Sequence, residues 1–271
     1  MITFSKMHGL GNDFVLLDLD NNPEIEFTTS FVQFLCDRKY GIGADQLVTI
    51  KSIPNHKVKM GIYNNDGSIS NACGNATRCI ALYLSEKHNQ KTWQIESLLG
   101  DIINTEVLEG DMVKSQLPAP KFNYDQIPLS KNFIESIEFY DFPNLPKGYF
   151  VNVGNPHIVF FVDNINKINI LHYGKIIESH EYFPEKVNVN FAEIVSKSHI
   201  NLKTYERGTG LTLACGTGAA ATAVCAIKYM EAEKSVKVSM MGGDLIVNYE
   251  NSIINTEGSA TKVFDGIIPK Y

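Results

Sequence analysis

Two cysteines stand in matching surroundings: "NACGNATRC" carries Cys73 and "LACGTGAAA" carries Cys215. Each follows an alanine, precedes a glycine and opens a stretch of helical composition. The first N–H groups of a helix have no internal partner, and the helix dipole favours negative charge at that end. A cysteine there can ionise well below the usual thiol value. The same amides, on Gly74-Asn75 and Gly216-Thr217, can hold a carboxylate. Two such thiols suit one chemistry in particular. One takes a weakly acidic α-proton from a carbon, and the other delivers a proton to the opposite face. The neighbouring carboxylate then needs strong donors, because charge builds on it as the proton leaves. Such an inversion requires no cofactor, and no lysine motif for pyridoxal phosphate is evident. The 7 histidines show no metal-type spacing, so no metal is expected.

The other three cysteines, Cys36, Cys79 and Cys225, read as small buried hydrophobes. An odd total of 5 without a CxxC pair argues against a disulfide framework. The 271 residues suit two small domains, and 44% hydrophobic residues suit a folded core. Net charge is −6 with no basic cluster, which argues against nucleic acid or an anionic membrane as partner. The N-terminus lacks a signal-peptide pattern, so a cytoplasmic setting is expected. The uncharged run 208–227 is long enough to span a membrane, but it holds four Gly and four Thr. A buried helix is the better reading.

The elements that must position the two thiols repeat. The offset from 73 to 215 is 142 residues. At nearly the same offset Gly11-Asn12 maps to Gly154-Asn155, Gln46 to Asn188, and "YNNDGS" at 63–68 to "YERGTG" at 205–210. Order and spacing kept together point to two copies of one unit. The proline-rich stretch 117–128 marks the seam. The expected halves are 1–118 and 119–262, with 263–271 returning to the first. Each half reads mainly as β-strands, from alternating and β-branched runs bounded by turn residues. Helices are expected at about 75–88 and 217–232, with shorter ones at 29–39 and 169–179. Residues 219–226 are small and apolar all round, which places that helix inside a curved sheet. The expected fold is α+β, with two pseudo-symmetric domains from an internal duplication. Each is a curved, mainly antiparallel sheet wrapped around a central helix, with the active site in the cleft between them.

Polar residues recur at equivalent turns and strand ends: Asn12, Gln46, Asn64, Asn155, Asn188, Glu206 and Arg207. Asn amides can meet both ammonium and carboxylate groups. Arg207 suits a second carboxylate, and Glu206 an ammonium.

With "KMHGLGNDF", "GIGADQL", "YNNDGS", "ACGNATRC", "GNPH", "ESHEYFPEKVNVNF", "YERGTGLTLACGTGA" and "VFDG", the chain resembles the diaminopimelate epimerase family over essentially its whole length. The resemblance implies cofactor-independent epimerisation of LL-2,6-diaminopimelate to the meso isomer, in lysine and peptidoglycan-precursor biosynthesis. It implies that Cys73 and Cys215 are the acid/base pair. Gly74, Asn75, Gly216 and Thr217 would hold the carboxylate at the reacting centre. Asn12, Gln46, Asn64, Asn155, Asn188, Glu206 and Arg207 would bind substrate, and His157 and Glu206 would tune the thiols. A homodimer is implied, with Phe264 where a dimer-contact tyrosine often stands. The chain departs from the family pattern at Leu211, Asn190, Ala76, Thr217 and Phe264. Two rivals stay open: another two-cysteine racemase, such as a proline racemase, and a non-enzymatic redox or binding protein with paired thiols.

Overall fold

The computed structural model describes residues 1–23, 25, 27–54, 57–70 and 73–269. Ala72 of the first Ala-Cys-Gly step and the last two residues of the expected C-terminal return lie outside them. The chain divides into two units, Met1–Gln116 with Glu257–Tyr271, and Leu117–Thr256.

In unit 1 the strands are β1 (Ile2–Gly9), β2 (Asn12–Asp18), β3 (Gln46–Ile53), β4 (Lys57–Asn64), β5 (Thr92–Glu96), β6 (Ile102–Val107) and β7 (Met112–Leu117). Helix α1 (Thr29–Cys36) joins β2 to the parallel β3, and α2 (Gly74–His88) joins β4 to the parallel β5. The other neighbours, β1–β2, β3–β4, β5–β6 and β6–β7, run antiparallel. Unit 2 contains β8 (Ser136–Ile137), β9 (Gly148–Asn152), β10 (Pro156–Phe161), β11 (Asn188–Ser196), β12 (His199–Glu206), β13 (Gly210–Leu211), β14 (Ser235–Met240) and β15 (Gly243–Glu250). Helix α3 (Ile170–Glu178) connects β10 to the parallel β11. Helix α4 (Gly216–Tyr229) lies between β12 and the parallel β14. The chain passes from one unit to the other within β16 (Ile253–Ser259), and β17 (Thr261–Ile268) pairs antiparallel with β1.

The duplication is therefore one of topology and register. Phe14 faces Gln46 in the first parallel pair of unit 1, and His157 faces Asn188 in that of unit 2. Lys57 faces Gln94 in the second pair, and His199 faces Lys237. Helix α2 contacts β1, β2, β5, β6 and β17, and α4 contacts β9, β10, β11, β12, β14 and β15. Each sheet curves around its helix, which explains why both helices are buried on nearly every side. In α4 every residue from Gly218 to Ala226 is buried. Small side chains let surrounding strands approach the helix closely, and alanine also favours helix. Helix α2 buries Ile80, Leu82 and Leu84 against Met7, Phe14, Met60, Trp93 and Ile95. Among the described residues no helix is long and apolar enough to cross a membrane.

Two helix ends differ from the sequence reading. Helix α1 stops at Cys36, because the Asp37 carboxylate accepts from the amides of Lys39 and Tyr40 at 2.7 and 2.8 Å. This local turn competes with further helix. Helix α4 stops at Tyr229, where Glu231 turns left-handed (φ 54°) and the amides of Met230 and Ala232 both return to the Ala226 carbonyl.

After α1 the chain must return to the head of β3. A Cβ on Gly41 would lie 1.7 Å from the Phe34 carbonyl oxygen, so only glycine fits that crossing. Gly43 follows at φ +81°, and a Cβ there would meet the Arg38 backbone at 2.9 Å. By contrast Gly110 (φ +68°) has open space around it. Gly41→Ala is expected to lower the unfolding free energy by at least about 3 kcal/mol, since backbone must move. Gly110→Ala should cost about 1 kcal/mol, the left-handed penalty alone. Urea titration of the two variants checks this, and equal costs would contradict the packing argument.

Candidate active site

In unit 1 the heads of β2 and β3, the tail of β4 and the start of α2 carry the polar residues singled out from the sequence. Because β2 and β3 are parallel and β3 and β4 antiparallel, Asn12, Gln46 and Asn64 share one end of the sheet. Cys73 is the N-cap of α2, with extended backbone (φ −150°, ψ 107°) and a sulfur that accepts from the Ala76 amide at 3.5 Å. The sulfur also lies 3.5 Å from Asn12 Oδ1, which accepts from Asn75 Nδ2 at 3.2 Å as well. Gly9 permits this approach, since a Cβ there would lie 3.1 Å from the Asn75 Cβ. Gln46 Nε2 donates to Asn64 Oδ1 at 2.8 Å, and Asn64 Nδ2 donates to Ser68 Oγ.

Behind Asn12 stands an ionic cluster the sequence reading did not single out. Asn12 Nδ2 donates to Asp45 Oδ2 at 3.0 Å. Arg38 grips Asp13 with two nitrogens, at 3.0 and 2.7 Å, and reaches Asp45 at 2.8 Å. Lys6 adds a bond to Asp13 at 2.6 Å. Burial opposes the charge on Asp13, but Arg38 and Lys6 together hold its carboxyl well below the usual carboxylate range. Arg78, also missed, is fully buried and donates to Asn75 Oδ1 and the Ser259 carbonyl. Its helical spacing from Cys73 could have flagged it, but nothing in the sequence says that its face of α2 is covered.

In unit 2 the same pattern returns with different side chains. Cys215 is the N-cap of α4 (φ −125°, ψ 108°), and its sulfur accepts from the Gly218 amide at 3.3 Å. The Thr217 hydroxyl lies 3.5 Å away. Cys215 is only 4% exposed. Burial, followed by the negative charge of Glu206, pushes its thiol well above the ordinary value, outweighing the Thr217 and Gly218 bonds. The helix start alone suggested the opposite direction. A sulfur sealed beneath an alanine-rich helix and beside a carboxylate loses more by desolvation than a single amide returns. Glu206 itself is pushed up by burial, and it accepts from Thr212 Oγ1 at 2.6 Å and bonds Cys215. Asn188 is buried; its Nδ2 donates to the Pro156 carbonyl at 2.8 Å and its Oδ1 accepts the Arg207 amide at 3.0 Å. The Arg207 side chain is on an exposed residue and donates from Nη1 to the Glu185 carbonyl.

His157 is fully buried, with Nε2 2.9 Å from Asn155 Oδ1 and Nδ1 3.1 Å from Asn190 Nδ2. Burial, helped by the charge of Arg207, pushes its pKa down to about 3. Of the remaining cysteines, burial raises Cys36 to about 11 and Cys79 to about 12, and Cys225 is raised further. None of the five forms a disulfide, and no cluster of metal-binding side chains occurs among the described residues. The ring of His157 has a testable consequence. Its folded pKa lies below its unfolded value of about 6.5, so the unfolded chain binds more protons as pH falls. Its contribution is complete above about pH 6.5 and is lost as pH drops toward 3. The stability gap between the parent protein and His157→Gln should narrow by about 1.4 kcal/mol for each pH unit across that window. A gap independent of pH would mean that the ring is charged in the folded state.

The diaminopimelate epimerase family model matches residues 4–122 and 149–263. A diaminopimelate epimerase from Sphingopyxis alaskensis is 42% identical over 268 residues, covering 97% of this chain and 96% of its own. One from Carboxydothermus hydrogenoformans is 41% identical, covering 97% and 98%. Among solved structures, a predicted epimerase from Pseudomonas aeruginosa superposes with a TM-score of 0.73 over 100% of both chains at 11% identity, a likeness of fold. Matches that run the length of both chains, at this identity, leave one assignment: the chain belongs to the diaminopimelate epimerase family.

Proposed function

We propose that the protein is an isomerase that converts LL-2,6-diaminopimelate to meso-diaminopimelate without a cofactor, in lysine and peptidoglycan-precursor biosynthesis. The observation that carries this reading is the repeated cap. In each unit a cysteine sulfur accepts an amide from the first turn of a buried helix. Family membership supplies the substrate. Cys73 takes the α-proton from one face of the carbon, and Cys215 gives its proton to the other. Cys215 enters as the thiol because burial and Glu206 keep its proton in place. After one turnover the proton has moved to Cys73 and the thiolate to Cys215, so the reverse reaction runs with the roles exchanged.

The amides of Gly74, Asn75, Gly216 and Thr217 hold the carboxylate at the reacting carbon, where negative charge grows. Asn12, Gln46, Asn64, Asn155, Asn188, Glu206 and Arg207 bind the substrate's amino and carboxylate groups. Gln46 Oε1 is buried without a hydrogen-bond partner, an acceptor suited to an ammonium. Glu206 tunes Cys215 through their hydrogen bond. His157 acts at one remove, through Asn155. A homodimer and a cytoplasmic setting complete the reading. Val263, Phe264 and Ile267 are exposed on β17, and Phe264 meets Phe4 edge-on at 6.0 Å, a surface able to pair with a second copy.

The reading is tested by replacing each thiol. Cys73→Ala and Cys215→Ala should each reduce epimerisation of LL-diaminopimelate by at least about 10³-fold, because each removes the proton carrier from one face. Cys36→Ala should stay within about threefold of the parent, since that thiol is buried and un-ionised. An active Cys73→Ala enzyme would sink the two-thiol mechanism. Activity on proline instead of diaminopimelate would favour the rival racemase.

A further inference from the structure

Behind the Cys215 helix a chain of hydrogen bonds has a direction that its own atoms determine. Asn190 is fully buried on β11. Its Nδ2 lies 3.0 Å from the Ile158 carbonyl and 3.5 Å from the Asn188 carbonyl. Backbone carbonyls only accept, so the amide nitrogen, and not the oxygen, must face this side. The amide oxygen points the other way, where it accepts from Thr204 Oγ1 at 3.0 Å. The first Nδ2 hydrogen is taken by Ile158, and the second points to His157 Nδ1 at 3.1 Å. Nδ1 is therefore an acceptor, and the ring's one proton sits on Nε2. Nε2–H then donates to Asn155 at 2.9 Å, which requires Asn155 Oδ1 there. The Asn155 amide cannot turn over, since its NH₂ would face an N–H. Both Asn155 Nδ2 hydrogens are left to donate elsewhere, and this side chain is half-exposed while the rest of the chain is buried.

We infer that Asn190 is a positioning residue which, through the His157 tautomer, locks the Asn155 amide with Oδ1 on the ring and Nδ2 toward the half-exposed side, so that this corner of the site favours a carboxylate oxygen over an ammonium. The inference deepens the proposed function, because it gives a polarity to one member of an otherwise ambiguous ring of amides. An asparagine in a mobile setting can offer either end to a ligand, so it discriminates poorly between the two ends of an amino acid. Held by a buried ring that cannot change tautomer without orphaning Asn190, it discriminates by the cost of an unpaired or repelled group. The low pKa of the ring agrees with this arrangement, since a neutral imidazole is needed throughout the neutral range. The same pair also shapes the thiol's helix. A Cβ on Gly218 would lie 2.7 Å from Asn190 Oδ1 and 2.8 Å from Thr204 Oγ1, and Gly218 supplies the amide that donates to the Cys215 sulfur.

Two measurements test the inference, and they fail separately. Nitrogen-15 correlation spectra of the unliganded parent protein at pH 7 should place the His157 proton on Nε2, and Asn190→Leu should lower the Nε2–H fraction. A proton on Nδ1, or a doubly protonated ring, in the parent protein would overturn the relay whatever reaction the enzyme runs. The second measurement is steady-state kinetics of Asn155→Asp, which keeps the size and still accepts from His157 Nε2–H but turns the ligand-facing donor into an acceptor. KM for LL-diaminopimelate should rise by at least about tenfold, the loss of one charge-assisted bond, with kcat changed far less. A KM equal to or below that of the parent would mean that Asn155 meets an ammonium, and would overturn the assigned polarity even with the relay intact.

Discussion

The cap that a cysteine sulfur makes on the first turn of a buried helix is the interaction on which the rest depends. A helix start leaves amides without partners, and inside a sheet there is no water to satisfy them. In α2 the sulfur of Cys73 takes the Ala76 amide, and in α4 that of Cys215 takes the Gly218 amide. The sulfur is thereby fixed to the helix, and the helix is fixed by the strands that curve around it. Glycine at 74 and 216 keeps side chains away from the neighbouring amides, so the same helix end can serve a thiol and an anion together. A looser helix would carry the thiol with it, which is why the surroundings are so heavily packed.

The two copies of this arrangement have diverged in their electrostatics. Around Cys73 the neighbours are amides, a buried guanidinium and, farther out, the Asp13–Arg38–Asp45 cluster that steadies Asn12. Around Cys215 they are a carboxylate, a hydroxyl and the Gly218 amide. Duplication therefore supplied matching geometry, and substitution at equivalent strand ends supplied unequal acid–base surroundings. Gln46 corresponds to Asn188 and Phe14 to His157. In the proposed inversion one thiol holds a proton while the other lacks it, and unequal surroundings bias which one.

Much of this was legible in the sequence, and the reasons are local. Ala-Cys-Gly before an apolar run marks a helix start, alternating runs mark strands, and a nearly constant offset marks the repeat. Strands Gln46–Ile53 and Lys57–Asn64 and the end of α2 at His88 fall where their patterns ended. What was not legible depends on register between distant strands. That Thr204 reaches Asn190, or that Asp45 backs Asn12, follows from pairings no spacing rule encodes. The state of Cys215 was not legible for a related reason: a helix start is visible in eight residues, whereas desolvation is a property of everything packed around it.

The central claim, that two thiols work on opposite faces of one carbon, is tested most directly by isotope exchange at low conversion. LL-diaminopimelate is incubated with the enzyme in heavy water, and substrate and product are separated before a tenth has reacted. The account predicts deuterium at the inverted carbon of essentially every meso product molecule and none in the recovered LL substrate. The proton that leaves goes to one thiol, and the deuteron that arrives comes from the other. Deuterium in the recovered substrate at a rate matching product formation, or protium carried over into the product, would mean that a single base serves both faces and would contradict the account.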